Sequence, residues 1–142
     1  MGQTHGGKTT KRSIVTEAHG WPVFSLLFAG NYSDFKTALP TIGRLFVRPE
    51  KLSADRGYDA QWLRNRLRQW HIQSAIPRKN SPSGQKRRKL TTAARTIFKN
   101  RWKVERGFAW LDGFRRLVTR WEYYPEIYHA FLSVAIICIL LR

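Results

Sequence analysis

Residues 98–116 read FKNRWKVERGFAWLDGFRR. The only carboxylates there are Glu105 and Asp112, set among Lys99, Arg101, Lys103, Arg106, Arg115 and Arg116. Taken as a helix, the apolar residues Trp102, Val104, Phe108, Ala109 and Leu111 are spaced mostly by three, four or seven. The same steps put Arg101, Glu105, Phe108 and Asp112 on one face. An acid on a half-apolar helix amid so much positive charge admits two readings. One is a helix salt bridge of Glu105 with Arg101, worth roughly a few tenths of a kcal/mol. The other is a divalent-metal ligand held close to a nucleic-acid phosphate. Spacing alone leaves both open.

Composition narrows the class of partner. The chain carries 26 Lys and Arg against 9 Asp and Glu, a formal charge of +17, which points to a polyanion, with nucleic acid ahead of an anionic membrane surface. Six Trp and an aromatic content of 13% exclude a purely disordered basic tail. At 142 residues the length suits one domain with a real core. A single cysteine, Cys138, in an apolar run fits a reducing cytoplasm and a buried structural thiol. The polar opening MGQTHGGKTT has no secretory pattern, and the apolar run Ala130–Leu141 falls short of the roughly 20 residues of a membrane helix.

Taken in order, the chain to Lys11 is rich in Gly, Thr and Lys and reads as a loop with anion-binding potential. Two β-prone runs, 13–17 and 23–29, flank the turn signal His19-Gly20-Trp21-Pro22 and predict a hairpin. Caps at Gly30 to Asp34 predict a helix over 35–46, stopped by Pro49. A strand at 51–54 precedes Asp55-Arg56-Gly57-Tyr58-Asp59, and Asp59 suits the N-cap of a helix over 60–70. A strand at 73–76 ends at Pro77. Residues 78–89 read as a mobile basic loop, with Lys79, Lys86, Arg87, Arg88 and Lys89 able to meet phosphate. One helix is expected from Thr91 through Glu105 to about Phe114, and an apolar helix from Glu126 closes the chain. The order predicts an α/β fold with an antiparallel start. His5, His19, His71 and His129 lack zinc-ligand spacing.

Two motifs carry a resemblance. ADRGYD at 54–59, followed by RWKVERGFAWLDGFRRL at 101–117, closely resembles the DDE transposases of bacterial insertion sequences. The opening GGKTTKRSIV and the closing EIYHAFLSVAIICILLR share the likeness, which therefore covers nearly the whole chain. The resemblance implies a ribonuclease H-like mixed sheet with flanking helices. It also implies metal-dependent cleavage of DNA strands and joining of the freed 3′ ends to target DNA. Two Asp and one Glu would hold two divalent ions, Mg²⁺ or Mn²⁺, about 3.5–4 Å apart. Asp55 matches the second Asp. Glu105 matches the Glu of the family's Tyr-x2-Arg-x3-Glu-x6-Lys signature, with Arg101 in the Arg position placing Glu105 or a phosphate. Phe98 and Asp112 replace the Tyr and the Lys. Asp112 is also a helical rise of about 10.5 Å from Glu105, too far to share one metal. Trp102, Phe108, Trp110 and Phe114 read as core more readily than as a base-stacking platform.

No residue matches the family's first catalytic Asp: the only acid before Asp34 is Glu17, inside the hairpin. The expectation is a partial catalytic domain over 1–142, incomplete at its N-terminal strand, with 77–92 a basic loop and 126–142 a closing helix. Such a chain would be a truncated or second-reading-frame product, inactive alone. Its partners would be element-end and target DNA, and an upstream-frame product or a second copy, in the cytoplasm near the nucleoid and away from membrane. The alternative is a non-catalytic DNA-binding or regulatory fragment. Asp59 is expected to cap a helix.

Overall fold

The computed structural model describes residues 2–4, 7–79 and 90–142. These form two units: one from the chain's two ends, up to Tyr32 and from Trp102, and one from Ser33–Arg101.

The first unit is built on the expected hairpin. Strands β2 (Gly7–Thr16) and β3 (Pro22–Ala29) pair antiparallel from Thr10↔Ala29 to Thr16↔Pro22. A short β1 (Gly2–Thr4) lies on the other side of β2, opposite Gly7–Thr9. Residues 2–4 and 7–11 are therefore strand where a loop was expected. Pairing of Thr10, Lys11 and Arg12 with Ala29, Phe28 and Leu27 satisfies their backbone and overrides local preference. The turn is fixed by Glu17, whose Oε1 accepts the N–H groups of His19 at 2.7 Å and Trp21 at 3.0 Å. Gly20 takes a φ of +96°, open to glycine at little cost.

Helices α4 (Trp102–Asp112), α5 (Arg115–Val118) and α6 (Pro125–Leu140) complete this unit. Its core gathers Leu111, Leu117, Tyr128, Leu132, Ala135 and Ile139, with Ile14, Trp21 and Leu27 of the hairpin packed against them. The Tyr128 hydroxyl donates to the Leu117 carbonyl at 2.8 Å, which satisfies a buried polar group. Among the described residues no helix is long and apolar enough to cross a membrane.

The second unit runs α1 (Asp34–Gly43), β4 (Lys51–Ser53), a 3₁₀ turn (Arg56–Tyr58), α2 (Gln61–Gln69), β5 (Gln73–Ala75) and α3 (Thr92–Lys99). Strands β4 and β5 are parallel, with Leu52 opposite Ser74. Ala38, Ile42, Leu63, Leu67, Ile72 and Ile76 form its core. Leu63 and Leu67, one turn apart on α2, are fully buried. The fold is thus mixed α/β, with three antiparallel strands in one sheet and two parallel strands in the other.

Three helix boundaries differ from expectation. Helix α1 stops at Gly43 rather than 46, and Phe46 beyond it is fully exposed, so no burial rewards another turn. The long helix expected from Thr91 to about Phe114 is two helices, α3 and α4. At the break the N–H groups of Asn100 and Arg101 bond three residues back, to Ile97 and Phe98, a tightening that ends α3. Arg101 therefore lies in a turn, off the helix that carries Glu105. Helix α2 has Ala60 at its N-cap with no side-chain cap bond, and Asp59 has another task.

Candidate functional site

Asp55 follows directly from β4. The Ala54 N–H reaches the Ala75 carbonyl at 3.4 Å, so the parallel pairing carries on to the residue before it. Asp55 then turns the chain: its Oδ1 accepts the Gly57 N–H at 2.8 Å and caps the 3₁₀ turn, while the side chain stays exposed. A Cβ at Gly57 would sit 2.9 Å from Asp55 Oδ1 and 2.9 Å from Asp34 Oδ2. The bare Cα thus lets two carboxylates close on one point, no further apart than twice that distance. Burial first, and then the charges of Asp34 and Asp55, push the Tyr58 phenol above its ordinary value against a hydrogen bond with Thr37. Two hard oxygen donors facing one point from separate elements suit a divalent cation such as Mg²⁺. Sequence reading took Asp34 only as a helix cap, because nothing in the spacing joins it to Asp55.

Asp59 braces this turn. Its Oδ1 accepts from Arg64 Nε at 3.0 Å and Nη2 at 2.7 Å, and its Oδ2 accepts the Lys79 N–H at 2.6 Å. Arg64 Nη2 also donates to the Ile76 carbonyl at 2.8 Å. Burial would raise the Asp59 carboxyl, but the Lys79 N–H and the Arg64 guanidinium hold it below the usual carboxylate range. The residue expected to cap a helix instead ties the Asp55 turn to the segment leaving β5.

Glu105 lies on the first turn of α4, exposed. That helix is fastened to the hairpin turn by its neighbours in sequence. Lys103 Nζ donates to the Ala18 carbonyl at 2.8 Å. A Cβ at Gly107 would meet the Gly20 carbonyl oxygen at 2.8 Å and Thr16 Cγ2 at 2.9 Å, so only glycine allows this approach. Arg106 lies over Trp102 at 4.7 Å and near Trp110 at 5.8 Å, in cation–π range. Asp112 pairs with Arg12 of β2 at 3.0 Å, a structural use of the position where the family signature has Lys. Trp110 and Phe114 pack on the core as expected, whereas Trp102 is half exposed.

The structure brings Asp34 to Asp55 and leaves the remaining sequence-derived positions on separate elements. Asp55, Lys79 and Arg101 belong to the second unit and Glu105 to the first. Arg101 lies over the Phe98 ring at 5.7 Å, and Lys79 Nζ over Phe35 at 5.9 Å. Lys86, Arg87, Arg88 and Lys89 lie outside the described residues. Among the described residues no group of three or more carboxylate, imidazole or thiol side chains is placed to hold a metal. A polar cleft of about 300 Å³ on the second unit is lined by Arg64, Arg68, Arg78, Gln73 and Ser74. Arg78 opens the basic segment read from the sequence, whereas Arg64 and Arg68 come from α2, where sequence reading passed over them because they are scattered among neutral residues.

Comparison with known proteins points to the same family as the resemblance. The family model described as "Transposase DDE domain" matches residues 2–141. A Burkholderia cepacia protein named as a transposase for insertion sequence element IS402 is 35% identical over 135 residues, covering 88% of this chain and 59% of that protein. The chain thus spans about three fifths of that relative's length. No solved structure matches it. With the family pattern running from the first strand to the last helix, the chain belongs to the DDE transposases.

Proposed function

We propose that this chain supplies part of a ribonuclease H-like catalytic domain that cuts and rejoins DNA strands at the ends of an insertion sequence. The observation that carries this reading is the family match over residues 2–141; the motif resemblance puts the family's second Asp at Asp55 and its Glu at Glu105. Asp55 sits just past the carboxyl end of a parallel strand, where α/β enzymes gather their chemistry.

Asp55, with Asp34 beside it as a further hard donor, and Glu105 would each be a ligand to divalent metal, Mg²⁺ or Mn²⁺. Bound there, the ion would polarise the phosphodiester and lower the pKa of attacking water. The chain's own residues prepare that role. Gly57 lets the Asp34 and Asp55 carboxylates converge, and Asp59 with Arg64 holds the turn that carries them. Gly107 seats the Glu105 helix on the hairpin turn. Lys79, Arg101, the arginine cleft and residues 86–89 would hold DNA phosphates on element ends and target.

A complete site needs the family's first Asp, which no residue here matches. The 41% of the Burkholderia relative that lies outside the match leaves room for such a segment. Within this chain β2 pairs with β3 over Thr10–Thr16, while β1 covers only Gly7–Thr9. An added strand could continue the line of β1 alongside Thr10–Thr16. The test is a fusion of this chain to the preceding segment of its element, incubated with element-end DNA and Mg²⁺. Nicking is expected, reduced to background by Asp55→Asn and by Glu105→Gln. Metal-dependent nicking that survives both substitutions would refute the assignment, and DNA binding without nicking would favour the regulatory-fragment alternative.

A further inference from the structure

Apart from Glu126, His129 and Ser133, helix α6 is apolar round its circumference, close to the pattern of a helix buried all round. Its inward face, Tyr128, Leu132, Ala135, Ile136 and Ile139, fills the core of the first unit. Its outward face does not become polar. Ile127 is 49% exposed, Val134 57%, Ile137 54% and Leu141 82%. The run from Ile127 to Leu141 makes an apolar stripe about 21 Å long at 1.5 Å per residue. At 16 residues the helix is too short to span a bilayer. A stripe of this kind marks a contact surface.

The order of the exposed residues identifies what fits it. They are arranged symmetrically about Val134. Three residues to either side stand Phe131 and Ile137; four away, the small Ala130 and Cys138; seven away, Ile127 and Leu141. Eight away, the stripe is closed by one acid, Glu126, and one base, Arg142, both exposed. Two copies of α6 packed antiparallel about a two-fold axis at Val134 would therefore set apolar against apolar along the seam. Each Glu126 would meet an Arg142, and the small residues would lie where the helices approach most closely. A parallel arrangement would instead oppose like charges at each end. Arg116, whose guanidinium lies 5.0 Å from the Phe131 ring, would flank the seam.

We propose that the outward face of α6 is a homodimer surface, used by two copies of this chain in antiparallel register about Val134. This rests on neither the metal nor the DNA reading above. The stripe is one helix face wide, and Tyr123, Tyr124 and Leu140, exposed beside it, broaden the patch. A contact of that size falls short of the roughly 800 Å² per partner of tight complexes, so the dimer is expected in the micromolar range. With +17 on each copy and an apolar seam, added salt should strengthen the dimer, the opposite of its effect on DNA binding.

Sedimentation equilibrium of the 142-residue chain, from about 1 to 100 µM, tests it against the dissociation range expected of a small interface. The expected result is a reversible shift from the 16.7 kDa monomer to twice that mass, stronger in high salt. Val134→Arg, which sets two guanidinium groups face to face on the axis, should leave only monomer with an unchanged far-ultraviolet circular dichroism spectrum. Register is tested with Ala130→Cys, which places a new thiol opposite Cys138 of the other copy. A short bismaleimide should then give a covalent dimer that disappears when Cys138→Ser is added. A monomer at every concentration, an association indifferent to Val134→Arg, or equal cross-linking through Cys138 alone would each overturn the proposal.

Discussion

Removing the Asp59 carboxylate tests whether the Asp55 turn depends on its brace. In Asp59→Ala, Arg64 loses two of its three hydrogen bonds and keeps only the Ile76 carbonyl, while the Lys79 N–H loses its acceptor. The Arg64 side chain is 13% exposed and that of Asp59 15%, so the orphaned guanidinium cannot fully rehydrate. Breaking a buried ion pair from one side costs about 3–5 kcal/mol, and the residual exposure places this one near 3. With a urea slope of about 1.5 kcal/mol per molar, the unfolding midpoint should fall by about 2 M. Tryptophan fluorescence, with Trp62 and Trp70 in the same unit, follows the transition, and amide exchange on β4 and β5 locates the loss. Arg64→Ala together with Asp59→Ala should cost less than the sum of the two single changes by about 1–2 kcal/mol. The pH dependence carries a sign. The folded-state value of Asp59 lies below its unfolded one, so its contribution is fully present above the unfolded value of about 4 and lost as pH falls through the lower folded value. The gap between wild type and Asp59→Asn should close over that acid range. A midpoint for Asp59→Ala within about 0.3 M of wild type, corresponding to under 0.5 kcal/mol at the same slope, would refute the brace.

Other substitutions read single contacts. Gly107→Ala forces a Cβ onto the Gly20 carbonyl oxygen, a backbone group that cannot swing aside, and should destabilise the first unit by about 1–3 kcal/mol in thermal unfolding. Gly57→Ala meets only the ends of the Asp34 and Asp55 side chains, so stability should change by less than about 1 kcal/mol while Mn²⁺ binding, followed by electron paramagnetic resonance, weakens as the carboxylates separate. Thr91→Ala removes the N-cap oxygen, Thr91 Oγ1, that accepts the Ala94 N–H and should cost about 1 kcal/mol, read by urea unfolding. Glu17→Gln weakens acceptance from the His19 and Trp21 N–H groups. Although burial opposes it, those bonds hold Glu17 below its ordinary value, so its deficit should be present at neutral pH and vanish toward acid.

How much of this was legible in the sequence depends on the range of the interaction that decided each feature. The hairpin, the strand before Asp55 and the closing helix are written locally, in β-prone runs, turn residues and an unbroken apolar run. The break at Asn100–Arg101 was not, because the three-and-four spacing of apolar residues runs on unchanged across it while the backbone tightens to bonds three residues long. The chain to Lys11 misleads for the opposite reason: its Gly and Lys content is that of a loop, and Thr10 and Lys11 are strand through pairing with Ala29 and Phe28, far along the chain. Asp59 shows the limit most clearly. Next to a helix start it has the chemistry of a cap, yet Arg64 and the Lys79 N–H compete for the same oxygens and offer an ion pair besides.

For the candidate site the same division holds, with a physical consequence. Asp55 and Glu105 could be picked out because each sits inside a short motif whose neighbours serve it locally: Gly57 two residues after Asp55, Gly107 two after Glu105. Both glycines are required by close approaches, to carboxylates in one case and to the hairpin turn in the other. The motifs are thus partly records of packing, and a glycine two residues beyond an acid marks where the backbone must come close. Asp34 carries no such mark, because its role beside Asp55 arises only when the start of α1 folds onto the 3₁₀ turn. Motif resemblance can therefore single out an acid whose neighbours hold it in place, and it misses one held by a distant element. The symmetric outward face of α6 belongs to a third kind: its pattern is wholly local, yet its meaning shows only once the inward face is known to be filled.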